Sequence, residues 1–307
     1  MRRLAAMLIA AVVVLVASFL LVHLIPGDPA TQIAGYYATP EVRAEINRQL
    51  GLNRPLLHQF VDYVNDVVHL RFGTSFTQHQ PVTTLIGSRL AKTLELAFAS
   101  FALTMLIGVP VGLVVGALTR EGRRRHLDHA FTATTSLVHS IPDYLIATFL
   151  VFAFAVTWSL FPVAGADGPL SLVLPAVAVA AVPATVIARL TRVETLRVLD
   201  LDYVRTARAK RLSSFRIYLV HILPNVLTGT LTLGGLVLTG LIGGTVVVEN
   251  VFAWPGLGTA IVRAITDRDF PMIQAIILFL GLIVVVVNAA VDLLLILLDP
   301  RSSLREA

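Results

Sequence analysis

The sequence predicts an all-α polytopic membrane protein with six transmembrane helices. Three observations carry that expectation. The 307 residues are 56% hydrophobic and only 14% charged, with a mean hydropathy of +0.81; a soluble domain carries nearer a quarter charged residues. Six apolar stretches each approach the roughly 20 residues that a bilayer crossing needs. Basic residues crowd into alternate segments between those stretches, which is the positive-inside pattern.

The first span is residues 4–25, behind Met1, Arg2 and Arg3. No clear small-x-small cleavage site follows it, so it reads as a retained helix rather than a signal peptide. The others are 93–119, 136–160, 171–190, 225–248 and 273–298. Pro142, Pro175 and Pro183 interrupt the third and fourth. Membrane helices tolerate proline where neighbours satisfy the freed carbonyls.

Topology follows from arginine. One side holds Arg2 and Arg3, then Arg120, Arg123, Arg124 and Arg125, the run from Arg189 to Arg216, and Arg301 with Arg305. The other side holds none in 161–170, only Arg263 and Arg268 in a later loop, and the rest inside one long loop where charge counts for little. Both termini are expected on the cytoplasmic side. The net charge of +5, with Lys92 and Lys210 the only lysines, reflects this bias rather than nucleic-acid binding. Cysteine is absent, which excludes disulfides and thiolate metal sites.

Residues 26–92 form the sizeable outer element. Thr39-Pro40-Glu41 reads as N-cap, proline at N1 and acidic first turn, with Gly51 closing that helix. A second amphipathic stretch, 56–70, sets Phe60, Val64, Val67 and Val68 on one face. A third, 82–91, runs into the second span. The region is either a cap on the helix ends or a platform for an extracytoplasmic partner.

Inside the spans, Gly108, Gly112 and Gly116 recur every fourth residue. Gly240 and Gly244 do the same, beside Gly234, Gly235 and Gly243. Such spacing lets helices pack closely, within the bundle or against a second subunit. Asn288 and Asp292 share a face of the last span. Asp292 either pairs with a basic loop residue or serves transport. Glu95 lies near Lys92 and reads as half of a local ion pair. His23 and His139 are isolated, so no metal site is expected. Lys92-Thr93 lacks the phosphate-cradling glycines, with Ile86 and Ala91 in their places. The chain is therefore expected to hydrolyse no ATP and to be no enzyme. No His-Glu-x-x-His or Gly-x-Ser-x-Gly motif is present. No half-chain repeat supports an ATP-independent secondary carrier.

The most informative segment is cytoplasmic. It runs Asp202, Tyr203, Val204, Arg205, Thr206, Ala207, Arg208, Ala209, Lys210, Arg211, Leu212, and then reaches His221, Ile222, Leu223 and Pro224. A basic, helix-prone loop between spans is a natural docking surface for a soluble partner. Its spacing resembles the EAA loop of binding-protein-dependent ABC importer permeases: Glu-Ala-Ala, three residues, Gly, nine residues, Ile-x-Leu-Pro. Arg205-Thr206-Ala207 occupies the first place and His221-Ile222-Leu223-Pro224 the last. Arg211 stands where the family has glycine. The wording resembles the dipeptide, oligopeptide and nickel branch. Further matches follow in family order: His23-Leu-Ile-Pro-Gly-Asp-Pro29, Leu50-Gly-Leu-Asn-Arg-Pro55, Phe72-Gly-Thr-Ser-Phe76, Thr93-Leu-Glu-Leu96, Ser140-Ile-Pro142, Leu174-Pro175, Val248-Glu-Asn-Val-Phe-Ala-Trp-Pro-Gly-Leu-Gly258 and Leu298-Asp-Pro-Arg301.

The resemblance implies the B-type member of a permease pair. It implies a first span (1–25), an extracytoplasmic helical region (26–92), a five-span core (93–298) with its coupling loop at 200–224, and a cytoplasmic tail (299–307). It implies four kinds of partner: a second homologous permease, two cytoplasmic ATPases or one fused ATPase, an extracytoplasmic substrate-binding (lipo)protein, and membrane lipid. ATP and Mg would sit on the ATPases, with no cofactor on this chain. The cargo would be di- or oligopeptides, or alternatively nickel, glutathione, haem or another small solute. Val204, Ala207 and Phe215 would supply apolar contact to the ATPase, with Arg205, Arg208 and Lys210 as a charged rim. An outer loop carrying Glu249, Trp254, Pro255, Gly256 and Gly258 would face the binding protein. Glycine at position 211 would serve a positive-φ turn or a close backbone approach; arginine there is expected either to cost about 1 kcal/mol, if its φ is positive, or to mean that the turn is built differently.

Overall fold

Proline, glycine and charge decide where the helices begin and stop. The computed structural model describes residues 2–24, 30–31, 38–49 and 51–298. Residue 25 of the first predicted span, residues 26–29, 32–37 and 50 of the region after it, and the 299–307 tail, with Arg301 and Arg305, lie outside the described residues. Among the described residues the regular structure is all helical. The one extended pairing is an isolated antiparallel bridge between Thr74 and Pro81.

Helices α1 (Arg2–Leu24), α2 (Pro40–Gln49) and α3 (Leu56–Val68) precede the long α4 (Val82–Thr119). α2 starts at the predicted proline. The Glu41 carboxyl is held low by its backbone hydrogen bond and by Thr39. Gly51, at φ +69°, follows its end. α4 absorbs both the predicted 82–91 helix and the second span without a break, and Pro110 sits inside it.

The third predicted span is not one straight helix. α5 (Arg125–Ser140) and α6 (Asp143–Leu150) meet at a bend of 94°. The cause is local. Ile141 is extended, at φ −90° and ψ 123°, because the ring of Pro142 excludes the residue before it from the helical region. α6 then widens into a π turn over Val151–Thr157.

The chain continues through α7 (Pro169–Leu199), α8 (Asp202–Ala209), a helical turn at Ser214–Arg216 and a π turn at Ile217–Ile222. It ends with α9 (Leu223–Gly244), α10 (Val246–Val251), α11 (Leu257–Thr266) and α12 (Phe270–Leu298). The second π turn has a chemical reason. Pro224 has no N–H to give to residue 220 and its ring crowds that carbonyl, so the preceding turn widens.

Among the described residues, four helical segments are long and apolar enough to cross a membrane: Val82–Gly122, Pro169–Leu199, Ser214–Val251 and Phe270–Leu293. The bent α5–α6 pair makes a fifth if it counts as one crossing, and Ala5–Leu21 of α1 is a shorter apolar helix.

The chain divides into two compact units. One comprises residues 1–93 and 255–286, the other 94–254 and 287–307. In the first, Val82, Ile86, Leu257, Met272, Ile273 and Ile276 form the buried core. α3 leans on α1 through Phe60 against Phe19 at 5.3 Å and through a Ser18–Tyr63 hydroxyl pair at 2.8 Å. Val68, predicted on the packed face, is 71% exposed; Phe60 and Tyr63 define that face instead. His23 stacks on Phe19 and lies 3.2 Å from the Gln59 amide oxygen. Gly281 admits Val14 of α1 against its α-carbon.

In the second unit α7 is the hub, packed on α4, α5, α6 and α9. Leu96, Leu174, Val179, Leu241, Phe252 and Trp254 belong to its main core. Polar groups lock α5 to α7. Arg189 donates to the Thr135 and Ser136 hydroxyls at 2.8 Å each. Arg192 pairs with Asp128 and sits 6.0 Å from the Phe131 ring.

Candidate functional site

The basic segment folds into α8, and its burial pattern is two-sided. Val204 and Ala207, three apart, are 0% and 5% exposed. They pack with Val198, Leu199, Ile217, Ile222 and Val226. Tyr203, Arg205, Thr206, Arg208, Ala209 and Lys210 are exposed. This corrects one expectation: Val204 and Ala207 face inward and are not free to touch a partner. The apolar surface that α8 and its surroundings offer is Tyr203 at 40% and Phe215 at 76% exposure. Residues three apart share a helix face, and the α7 end with the turn before α9 offers the inward pair a dry surface.

The close of α8 turns on Arg211. Its φ is +54°. The Arg211 N–H donates to the Arg208 carbonyl at 2.9 Å, and the Leu212 N–H to the Ala207 carbonyl at 3.3 Å. Those two bonds make a Schellman stop, whose left-handed position normally belongs to glycine. The family glycine thus has a geometric reason, and arginine occupies that geometry at a cost of about 1 kcal/mol. Leu212 folds back onto the cluster that holds Ala207, as the motif favours.

Past the stop, the Ser213 hydroxyl accepts from the Arg216 N–H at 3.4 Å. Leu223 and Pro224 open α9. The Tyr203 phenol donates to the His221 carbonyl at 3.3 Å, and Asn225 donates to the same carbonyl at 2.8 Å. Partial burial pushes the Tyr203 phenol up, which keeps it a neutral donor. α8 is therefore tied to the ends of α7 and α9 by packing on one side and by Tyr203 on the other.

The second predicted site behaves differently. Of Glu249, Trp254, Pro255, Gly256 and Gly258, only Pro255 is exposed. Glu249 is fully buried and accepts from the Thr245 hydroxyl at 3.0 Å, while its backbone carbonyl takes the Trp254 N–H at 2.8 Å. The Phe252 carbonyl accepts from Gly165 N–H at 2.9 Å. The Leu257 N–H donates to Thr93 Oγ1 at 2.8 Å.

The glycines divide. A β-carbon on Gly108 would lie 2.8 Å from Ile187, and one on Gly116 2.8 Å from Thr195. On Gly112 it would overlap the Ala188 carbonyl oxygen. The stripe on α4 is a close approach to α7. A β-carbon on Gly240 or Gly244 would meet nothing within 4 Å among the described residues beyond its own helix, so the expected close packing of those two is not made among them. The tight glycines of α9 are Gly234, against Met105, and Gly235, against Val291. Asn288 accepts from the Thr239 hydroxyl at 2.5 Å, and Asp292 is exposed. Among the described residues no group of three or more His, Cys, Asp or Glu side chains could hold a metal.

One constellation escaped the sequence. Asp269, 1% exposed, caps α12 by accepting from the Met272 N–H at 3.4 Å. The same carboxylate accepts from the Ser75 hydroxyl, from Thr77 Oγ1 at 2.9 Å, and from the Phe76 and Thr77 N–H groups at 3.1 and 3.4 Å. The available signal was Asp269-Phe270-Pro271, an N-cap with proline in the first turn, but nothing local points it at Ser75.

Comparison with known proteins gives the same family twice. Residues 108–304 match the model of the binding-protein-dependent transport system inner membrane component. Residues 1–97 match the N-terminal model of the corresponding membrane components. A peptide transport system permease protein of Brucella abortus (strain 2308) is 39% identical over 309 residues, 98% of this chain and 97% of the relative. The glutathione transport system permease protein GsiC of Escherichia coli K12 is 38% identical over 288 residues, 94% and 93% of the two chains. Among solved structures, the inward-facing methionine transporter MetNI aligns with a TM-score of 0.57 at 21% identity, over 71% of this chain and 97% of that one. An amino acid ABC transporter with histidines aligns at 0.51 and 16% identity, over 69% and 93%. These two likenesses speak to the fold.

Proposed function

The chain belongs to the binding-protein-dependent transport system inner membrane components, and from that premise we propose that it forms half of the translocation path of an ATP-driven importer for di- and oligopeptides. The observation that carries the mechanism is α8: one face locked into its own bundle, the other exposed and basic, with a hydrogen-bonded stop at Arg211. Such a helix, about 12 Å long at 1.5 Å per residue, acts as a rigid lever. A partner that seats against Tyr203, Arg205, Lys210 and Phe215 cannot move α8 without moving the ends of α7 and α9. Those are the inner ends of two crossings, so closure of the ATPases is transmitted to the path as a rigid-body shift.

The proposed complex has a second, homologous permease and two ATPase subunits, or one fused ATPase, which hold the ATP and Mg. A substrate-binding protein delivers cargo at the opposite face. This chain binds no nucleotide of its own in that scheme. Six crossings, with α1 as the first and α5–α6 as the bent third, leave both termini on the ATPase side, as the arginine distribution favours. Residues 26–92, with the loop held by Asp269, form the outer platform. Of the second outer loop only Pro255 is positioned for direct contact; Glu249 and Trp254 shape the loop from inside. Peptide cargo rests on the Brucella relative, and the glutathione relative favours a tripeptide as the second reading.

Expressed with its neighbours, the chain should co-purify with a second permease, the ATPases and a binding protein; the ligand recovered on that binding protein identifies the cargo. Arg205→Glu combined with Lys210→Glu should abolish substrate-stimulated ATP hydrolysis, or release the ATPases, while membrane insertion is kept. Unchanged stimulation in the double variant would remove α8 from the coupling role. A lone chain that transports in proteoliposomes without ATP would sink the whole reading.

A further inference from the structure

A cavity of about 360 Å³ lies at the end of α4, beside the close of α8. Arg120, Arg123 and Arg208 line it against a single carboxylate, Glu121. Glu121 is shared, at 3.4 Å from each of Arg120 and Arg123. Arg120 is also held by Asp200 at 2.9 Å and is 17% exposed, so it is a fixed anchor. Arg208 forms no ion pair among the described residues. The loop that presents these groups is built from left-handed residues: Glu121 at φ +60°, Gly122 at +73° and Arg124 at +50°. Backbone in such regions is retained where surrounding structure fixes it, and often where a ligand is held.

The level of the cavity narrows the ligand. The crossing Val82–Gly122 ends at one wall and the crossing Ser214–Val251 begins at the other. That is where phospholipid headgroups lie. The cavity also has an apolar side, formed by Leu212 and Ile217, which a free inorganic anion would not use. Basic pockets between membrane helices on the cytoplasmic side take anionic headgroups, and arginine forks match phosphate oxygens in pairs.

We propose that this cavity holds the phosphate of an anionic phospholipid, gripped by Arg123 and Arg208 over the anchored Arg120, with the glycerol portion on Leu212 and Ile217. A lipid there bridges the end of α4 to the end of α8, so the anionic-lipid content of the membrane sets how firmly the lever is held. That consequence rests on the importer reading; the binding itself does not.

The test is native mass spectrometry of the full chain with the partners it retains, titrated with phosphatidylglycerol, phosphatidylcholine or inorganic phosphate. Phosphatidylglycerol should bind in preference to phosphatidylcholine. Arg123→Gln should weaken it roughly tenfold, and Arg123→Gln with Arg208→Gln roughly a hundredfold, as for lost charge-assisted hydrogen bonds. Arg125→Gln with Arg197→Gln, which removes two exposed arginines outside the cavity and outside the α8 surface, should leave affinity within about twofold, since no such bond is lost. If that control pair loses as much, the attraction is a diffuse basic surface and the proposal fails. It fails equally if the two lipids bind alike, or if inorganic phosphate occupies the site and displaces the lipid at equal concentration. Arg123 is a surface residue at 77% exposure, so its single variant remains informative if the double variant misfolds. A chain that binds the lipid but recruits no ATPase would refute the importer function and leave this site standing.

Discussion

A methyl group added at Gly112 measures how closely α4 and α7 are packed. The new β-carbon would overlap the Ala188 carbonyl oxygen and stand 2.6 Å from Thr191 Cβ and 3.0 Å from the Arg192 nitrogen. Two of these three are backbone atoms, which cannot rotate aside. α4 must retreat by roughly 1 Å to regain ordinary contact, and the contacts at Gly108 and Gly116 open with it. Overpacking of this kind costs about 1–3 kcal/mol, while the better helix propensity of alanine returns up to about 1 kcal/mol. With the full propensity gain, the net loss is up to about 2 kcal/mol. Gly240→Ala is the internal control, because nothing lies within 4 Å of its β-carbon and the propensity gain is unopposed. The propensity gain is common to both variants, so they should differ by the overpacking cost, about 1–3 kcal/mol, or roughly 2 °C or more in melting temperature. The assay is the loss of the monodisperse size-exclusion peak of the isolated chain on heating in detergent. A Gly112→Ala melting point equal to or above that of Gly240→Ala would refute the close approach. If Gly240→Ala is destabilising only in the assembled complex, Gly240 touches the second subunit.

Three further outcomes follow from single residues. Arg211→Gly should raise stability by about 1 kcal/mol by removing a side chain from a left-handed position; Arg211→Val should lower it, and equal melting of both variants would contradict the φ of +54°. Asp269→Asn turns one acceptor oxygen into a donor facing donors and should cost about 3 kcal/mol. Faster amide exchange at residues 75–82 reports it, and unchanged protection there would show that the carboxylate is not the clamp. Thr239→Val removes the hydroxyl bonded to Asn288 and should cost only about 0.6 kcal/mol, the usual worth of such a bond between membrane helices; a loss several times larger in thermal melts would mean that Asn288 has no alternative partner.

Legibility in the sequence followed the range of the forces. The start of α2 at Pro40 and the glycine stripe 108–112–116 rest on local rules, and each was readable; the left-handed turn at 211 was indicated only by the family's glycine, because arginine itself gives no local signal for a positive φ. The bend at Ile141–Pro142 rests on a local rule as well, but hydropathy averages across it, so 136–160 read as one span. The inward turn of Val204 and Ala207 was hidden because a short amphipathic helix has a dry face without saying what dries it. Gly240 and Gly244 share the spacing of the α4 glycines, yet spacing does not name a neighbour, and the tight glycines of α9 are the adjacent pair 234 and 235. Asp269 was out of reach for the plainest reason: its partners are some 190 residues away.

That separation has a consequence for biogenesis. The loop at Ser75–Thr77 leaves the ribosome long before the carboxylate that holds it. At about 5–20 residues per second, the 194 intervening residues take about 10 to 40 s to make. Throughout that interval the Ser75 and Thr77 hydroxyls and the Phe76 and Thr77 amides lack the carboxylate that gathers them, and the loop stays open to proteases. Docking of Asp269 therefore comes only after the last helix has begun to insert. A chain truncated before that point should be recognisably unfinished to the cell's quality control, even with most of its crossings in place.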